Sequence, residues 1–464
     1  MRGISALKLK KPATASLWYI GTNIFSRVSS FIFTPIFTRV LSPEEYSLYF
    51  LYLGWRGILS VITSLDLSGS VTFRALSDGR VDPSDYFRSA IILQGGFSLF
   101  FLILFFIFSD AITAFSSLPI PLFILMLFDI FFNFCEGIYF AKKRYSYDYK
   151  RVSLINIISG VASPIIALLF ILLTPYKSEG RIFGAVSLSF AVAIPIIFTI
   201  SRGGGKFSGI KTYKYILRLA MPLIPYSIFN SVSSNCDKII ISRILGKGAL
   251  GEYSLGHSMG FLMNFLTMGI SLAITPWIAR KLSAGRCDII KRTLGHTLFL
   301  ISGCVLLYLC ALPEIMSFVA PKSYLSSIRV VYPLSVGVIF SFSFGILSSI
   351  LLQKNGGGRL IFSSFLGAVF AVGLGILFTL RFGYFGCGVA ILLSVAIRFI
   401  SLAASLREGV LDRRIFFLSA LYLVSFALLI YSLSFSFISR VLVGMAVVLS
   451  VIPSLMRTKN LLFE

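Results

Sequence analysis

Ionisable side chains inside apolar stretches are where this sequence can do chemistry. A charge near the centre of a bilayer costs at least about 2.5–3.5 kcal/mol on insertion scales, so it persists where something uses it or neutralises it. Arg27, Arg56 and Asp129 fall midway along apolar segments, and Asp237 with Lys238 in the outer half of another. Glu136, His257, Arg398 and Arg440 lie nearer segment ends. Two guanidinium groups at similar depth can hold a diphosphate through bidentate hydrogen bonds, which one ammonium cannot do. Arg27 and Arg56 are therefore the candidate anion-binding pair, with a structural ion pair to Asp129 as the competing reading. Asp237 and Lys238 are adjacent, so on a helix they point about 100° apart and either neutralise each other or need separate partners. His257 has the chemistry of a proton relay, but Gly256 and Gly260 beside it favour a packing role. Arg398 and Arg440 are expected to snorkel to the interface.

The elements that must position these groups are membrane spans. Of the 464 residues 57% are hydrophobic, 13% are charged, and the mean hydropathy is +0.91, which excludes a water-soluble fold. Apolar segments occur near 15–38, 46–66, 88–108, 117–140, 152–174, 181–200, 219–242, 250–276, 294–316, 328–352, 358–379, 383–404, 414–431 and 436–456. The expected fold is thus an all-α polytopic membrane protein of about 14 transmembrane helices. The N-terminal stretch Met1–Gly21 has a basic start but too long an apolar run for a signal-peptide core, and is taken as the first span.

A net charge of +24 does not point to nucleic acid, because the Lys and Arg residues are scattered over many loops. They sort by side instead. Roughly 29 share a side with the N-terminus and roughly 8 lie opposite, which predicts cytoplasmic N- and C-termini. Lys142, Lys143, Arg144, Lys150 and Arg151 fill one inner connection, and Arg202, Lys206, Lys211, Lys214 and Arg218 the next. Setting topology accounts for them, and contact with anionic lipid headgroups is their secondary use. The six cysteines fall in spans, near span ends or in an inner loop, so no disulfide and no metal site is expected.

The chain repeats itself. Arg74-Ala75-Leu76-Ser77-Asp78-Gly79-Arg80 follows the second span, and Arg280-Lys281-Leu282-Ser283-Ala284-Gly285-Arg286 follows the eighth. Arg39-Val40-Leu41 precedes Glu45-Tyr46-Ser47-Leu48 just as Arg243-Ile244-Leu245 precedes Glu252-Tyr253-Ser254-Leu255. Six spans separate equivalent points, and an even number means the copies share one orientation, as in parallel-repeat transporters that work by alternating access. The predicted organisation is a six-helix bundle at 1–205, a second at 206–410 and an extra helix pair at 411–464, with 201–218 as linker. The repeat sets Arg27 and Arg56 against Ser231 and Met263, so these charges are not part of the duplicated scaffold. Glu45 is matched by Glu252, which marks it as a helix-start residue rather than half of a catalytic acid pair with Glu44. Gly356-Gly357-Gly358 lacks a Walker lysine pattern and is a cytoplasmic turn. No catalytic group is assigned, and every outer loop is shorter than about 20 residues, which leaves little room for an enzyme's active-site loop.

Two segments resemble the polysaccharide flippases of the multidrug/oligosaccharidyl-lipid/polysaccharide exporter superfamily, the Wzx-type O-antigen flippases most of all. One is Phe37-Thr38-Arg39-Val40-Leu41-Ser42-Pro43-Glu44-Glu45-Tyr46. The other runs from Leu219 through Pro222-Leu223-Ile224-Pro225, Asp237-Lys238-Ile239-Ile240 and Glu252-Tyr253-Ser254 to Pro276, with Ser47 and Ser254 where the family commonly has glycine. The resemblance implies a MATE-like fold whose central cavity is lined mainly by spans one, two, seven and eight, where Arg27, Arg56, Asp237, Lys238 and His257 fall. It implies movement of a polyprenyl-diphosphate-linked oligosaccharide, such as a lipopolysaccharide O-antigen unit, across a bacterial inner membrane. Without a nucleotide-binding domain the expected drive is an ion gradient, Na+ or H+, or the substrate's own gradient, and no cofactor is expected; a polysaccharide polymerase and a chain-length regulator are the partners the resemblance implies. A drug or cation exporter and a lipid II flippase are the alternatives within the same fold, and a membrane polymerase or glycosyltransferase is the alternative outside it.

Overall fold

The computed structural model describes residues 31–72, 81–145, 148–201, 209–353, 356–405 and 437–463, with residues 75 and 422 and scattered positions between 18 and 29. Arg27, the expected thirteenth span at 414–431 and most of the Arg74 to Arg80 string lie outside the described residues. Helices make up the fold, and no strand occurs among the described residues. The chain divides into two compact units, Met1–Ile239 and Ile240–Glu464.

The first unit contains α1 (Phe31–Val40), α2 (Pro43–Ser64), α3 (Pro83–Ile107), α4 (Ser109–Ser116), α5 (Ile120–Tyr145), α6 (Tyr149–Leu173), α7 (Lys177–Ser201), α8 (Ile210–Ala220) and most of α9 (Ile224–Ile244). Ser42 starts α2 through a capping box: its hydroxyl accepts from the Glu45 N–H, and Glu45 Oε2 accepts from the Ser42 N–H at 2.9 Å. Pro43 follows at a position where a missing N–H costs nothing. Glu45 is thus a helix-start residue, as its repeat partner suggested. At the other end Leu65 and Asp66 turn left-handed and a π-helical turn, Leu67–Val71, carries the segment beyond the expected end of the second span.

The described part of the expected linker is helical. In α8, Thr212, Ile216 and Ala220 form one buried face, Lys211, Lys214 and Arg218 point outward, and Thr212 donates to Asp85 at 2.7 Å.

The second unit contains α10 (Gly246–Gly260), α11 (Asn264–Ser283), α12 (Cys287–Cys310), α13 (Leu312–Val319), a 3-10 turn (Lys322–Ser327), α14 (Ile328–Gln353), α15 (Gly357–Ser405) and α16 (Phe437–Phe463). The single eighth span expected over 250–276 is two helices, α10 and α11, broken at Phe261–Met263. Hydroxyls bond carbonyls at the break: Tyr308 donates to Met259 O at 2.9 Å, which also accepts from the Leu262 N–H at 3.0 Å, and Ser335 donates to Gly260 O at 3.3 Å. Irregular backbone at membrane depth needs such partners. The 49-residue α15 holds the eleventh and twelfth expected spans, hinged at Gly383, whose φ of 64° and ψ of −155° are open to glycine alone.

Among the described residues, seven helices are long and apolar enough to cross a membrane, and α15 is long enough to cross twice. Their outward faces are apolar: on α3, Ile92, Leu99, Ile103, Phe106 and Ile107 are half or more exposed, whereas Ser89 and Gln94 are buried. That is the inverse of a water-soluble surface. The chain is a multi-pass membrane protein, all-α and polytopic.

The six cysteines are free thiols. Arg398 and Arg440 do not snorkel. Arg440 is 7% exposed and grips Glu314 with both Nη nitrogens, at 2.9 and 2.6 Å. Arg398 is 6% exposed and lies over the Phe344 ring at 4.2 Å. In each case a partner inside the unit removes the reason to reach for water.

Candidate functional site

A polar cavity of about 480 Å³ lies inside the first unit. Helical periodicity builds its walls. Tyr49, Tyr52, Leu53 and Arg56 on α2, Asp129, Asn133 and Glu136 on α5, and Arg181, Ala185, Leu188 and Ser189 on α7 recur at intervals of three and four residues, with Tyr52/Leu53 and Leu188/Ser189 as adjacent pairs. On α6, Asn156, Ser159, Gly160, Ser163 and Ala167 follow the same rule. Each helix therefore offers the cavity one stripe while its remaining surface packs or meets lipid. Ser26 and Phe37 complete the wall from the first span. A close approach fixes the distance between α6 and α7: a side chain at Gly184 would overlap the backbone of Ala167.

Asp129 is the centre of the network. Its carboxylate, with 5% of the side chain exposed, meets Arg56 Nε at 2.5 Å, Tyr52 Oη at 3.0 Å and Asn133 Nδ2 at 2.6 Å. The Arg56 contact is an ion pair that lacks the alignment of a hydrogen bond. Asn133 passes the connection on to Ser189 of α7 at 3.2 Å. Three helices are thus tied through one buried carboxylate, which needs several donors to remain charged away from water. Arg56 is 27% exposed in its side chain, and only its Nε edge is engaged by a described residue. The structural ion pair expected as the competing reading is present, and the rest of the guanidinium still faces the cavity.

The other predicted residues are placed differently. Asp237 and Lys238 are 1% and 5% exposed, and Lys238 Nζ lies 3.4 Å from Asp237 Oδ1 and 3.5 Å from Ser234 O. They neutralise each other, packed beneath α2, where Gly54 leaves room for the Lys238 stem. His257 belongs to the second unit, with its ring 5.8 Å from that of Tyr253 and 4.6 Å from that of Phe261. Neither Asp237, Lys238 nor His257 lines this cavity. Arg27 is outside the described residues.

Sequence reasoning missed Tyr52, Asn133 and Arg181. Tyr52 and Asn133 signal themselves only by sharing a helical stripe with Arg56 and Asp129. Arg181 stands at the start of a span, where a basic residue reads as a topology marker. Its guanidinium lies over four rings, Phe37 at 4.7 Å, Tyr46 at 4.9 Å, Tyr49 at 4.1 Å and Phe50 at 5.4 Å. Glu136, in the same cavity, is hydrogen-bonded or ion-paired to no described residue. No group of three His, Cys, Asp or Glu side chains placed to hold a metal occurs among the described residues.

Comparison with known proteins agrees with this architecture. A comparison with curated protein sequences finds no match. The chain is similar in structure to the lipid II flippase MurJ in an inward closed conformation, with a TM-score of 0.74, 17% identity, and coverage of 95% of this chain and 99% of that one. It is also similar to a multidrug resistance MATE family transporter of the MOP superfamily. The inward-facing form gives a TM-score of 0.64 at 13% identity over 87% of this chain and 95% of that one. The outward-facing form gives 0.59 at 14% identity over 89% and 96%. At these identities the likeness establishes the fold, which is MurJ- and MATE-like. A MatE family model matches residues 222–380. A model described as polysaccharide biosynthesis protein matches residues 14–259, more than half of the sequence, and the chain belongs to that family.

Proposed function

We propose that this protein flips a polyprenyl-diphosphate-linked oligosaccharide, an O-antigen or related repeat unit, from the cytoplasmic to the outer leaflet of a bacterial inner membrane by alternating access. The observation that carries the reading is the polar cavity, walled by stripes of four spanning helices and holding the guanidinium of Arg56 within an otherwise apolar bundle. Asp129 engages only the Nε edge of Arg56, and the N–H groups left facing the cavity suit an anionic cargo better than a neutral or cationic one. The diphosphate rests on Arg56 and on Arg27, and the polyprenyl tail stays in lipid. Termini in the cytoplasm, bundles at 1–205 and 206–410, the helix pair at 411–464, and coupling to Na+ or H+ belong to the same proposal. So do encounters with a polymerase and a chain-length regulator. Transport rather than catalysis is the activity.

A second reading is favoured by the likeness to MurJ, a lipid II flippase. Lipid II carries the same kind of diphosphate, so Arg56 serves either substrate. The test is a strain deleted for the gene, complemented by wild type or by Arg56→Ala, with surface polysaccharide and the inner-leaflet precursor pool measured. Loss of surface glycan with completed precursor trapped inside supports O-unit flipping, and arrest of cell-wall synthesis supports the second reading. Normal glycan in the deletion strain overturns both, and normal export by a stably inserted Arg56→Ala protein overturns the assigned role of Arg56.

A further inference from the structure

Among the described residues two arginines line the cavity, and one of them has a counter-ion there. Arg56 meets Asp129. Arg181 meets rings. A ring face attracts a cation by its quadrupole, by about 0.5–2 kcal/mol depending on exposure, but offers no acceptor to the guanidinium's five N–H donors. Nη1 of Arg181 is buried and has no hydrogen-bond partner. No carboxylate among the described residues lies within ion-pair distance of it. A cation whose flat face is held and whose edge is unsatisfied is oriented but not neutralised.

The rings place that charge. Phe37 ends the first span, and Tyr46, Tyr49 and Phe50 follow the α1–α2 turn, so Arg181 sits at the turn end of the cavity. Tyr49 and Arg56 share a stripe two turns apart, about 10 Å along the axis of α2. Gly137 of α5 approaches Ser68 beyond the far end of α2, so α5 runs alongside α2 in the same direction. Glu136 is therefore at the other end of the cavity. From one end to the other the wall presents a cation with no ion pair among the described residues, a compensated pair, and a carboxylate with no hydrogen bond or ion pair among them.

We infer that Arg181 is a second anion subsite, one that binds a phosphate or carboxylate oxygen of the transported headgroup at the end of the cavity next to the α1–α2 turn. This deepens the flippase reading and rests on it for the identity of the ligand, but not for the binding itself. An incoming anion meets a guanidinium already ordered by four rings, so little side-chain entropy is lost on binding. Arg56 is the weaker anion site, because part of its attraction is spent on Asp129.

The experiment uses the full-length protein in detergent and titration calorimetry with three probes: pyrophosphate, trigalacturonate and neutral maltotriose. Wild type, Arg181→Gln, Arg181→Lys and Tyr49→Leu are compared, with the melting temperature of each recorded. Arg181→Gln is expected to lose about tenfold or more in affinity for an acidic probe. Arg181→Lys, which keeps the charge over the rings, is expected to lose less. Loss toward pyrophosphate assigns the subsite to the diphosphate, and loss toward trigalacturonate assigns it to an acidic sugar. If Arg181→Gln does not fold, Tyr49→Leu loosens the cage while keeping the cation and is expected to weaken the same probe by a smaller factor. Binding of both acidic probes unchanged in the folded variants, or no acidic binding by wild type, overturns the subsite. Surface glycan is measured in parallel: if wild type exports normally while Arg181→Gln binds and exports like it, only the subsite fails. If wild type exports nothing, the flippase reading fails and the binding result stands.

Discussion

In the first unit Asp129 of α5 reaches Tyr52 and Arg56 of α2, and in the second Ser335 of α14 reaches the carbonyl of Gly260 at the end of α10. The shift that sets Arg74 on Arg280 sets Asp129 on Ser335, and the shift that sets Glu45 on Glu252 sets Tyr52 on Met259 and Arg56 on Met263. The same two elements of the repeat therefore meet at the same place in each unit. In one the meeting is ionic, across a continuous helix. In the other it is uncharged, and the helix is broken, with Tyr308 and Ser335 donating to carbonyls at the break. Duplicated topology fixes where helices touch and leaves open what chemistry the contact carries. Glu45 and Glu252 teach the same lesson: the first caps its own helix, whereas the second accepts from Ser326 and from Tyr384 at 3.0 Å.

The largest break in this contrast is expected from Arg56→Ala. It leaves the buried Asp129 carboxylate with neutral donors only and costs about 3–5 kcal/mol, read as a fall in the thermal midpoint of the purified protein. Adding Asp129→Asn removes the stranded charge and is expected to recover most of that stability without recovering export. A double variant that remains as unstable as the single one refutes the ion pair as the cause. The corresponding change in the second unit, Ser335→Ala, or Tyr308→Phe beside it, is expected to cost about 0.6–1.7 kcal/mol and to leave export normal. A loss of export with either would mean that the broken helix carries substrate chemistry after all. Smaller still, Glu45→Ala removes one side of a cap and should cost about 0.5–1 kcal/mol.

Asp148, outside the spans, is the least effect and the control. The Lys143 ammonium, hydrogen-bonded at 2.8 Å, and Arg151 nearby hold its carboxyl below the usual range. A lowered carboxyl stabilises the fold above its unfolded value of about 3.9, and that contribution is lost as pH falls through the lower folded value. Asp148→Asn should therefore lower the thermal midpoint slightly at neutral pH, by less than about 1 kcal/mol, and the difference should close below about pH 4. A difference that grows in acid contradicts the assigned direction.

Much of this was legible in the residues themselves. Apolar runs of span length announced the helices, Ser42-Pro43-Glu44-Glu45 announced where α2 begins, and the matched strings announced the duplication. Arg56 and Asp129 were legible because charge in an apolar run is conspicuous. What stayed hidden depends on tertiary contact. Arg181 looks like any basic residue flanking a span until a turn brings Phe37, Tyr46, Tyr49 and Phe50 around it. Arg398 and Arg440 look able to reach water until Phe344 and Glu314 are seen beside them. The break at Phe261–Met263 has no proline to mark it, and the two hydroxyls that bond carbonyls there arrive from distant parts of the chain.

The hydrogen atom that serves as the side chain of Gly184 sets how near α7 lies to α6, and so how wide the cavity is. Cargo size is then adjustable from a position that no cargo touches. A lineage adapting to a bulkier cargo has two routes: to replace wall residues one by one, or to add a single methyl group at 184 and move a whole wall at once. Selection screens confined to ligand-contacting residues would pass over the second route.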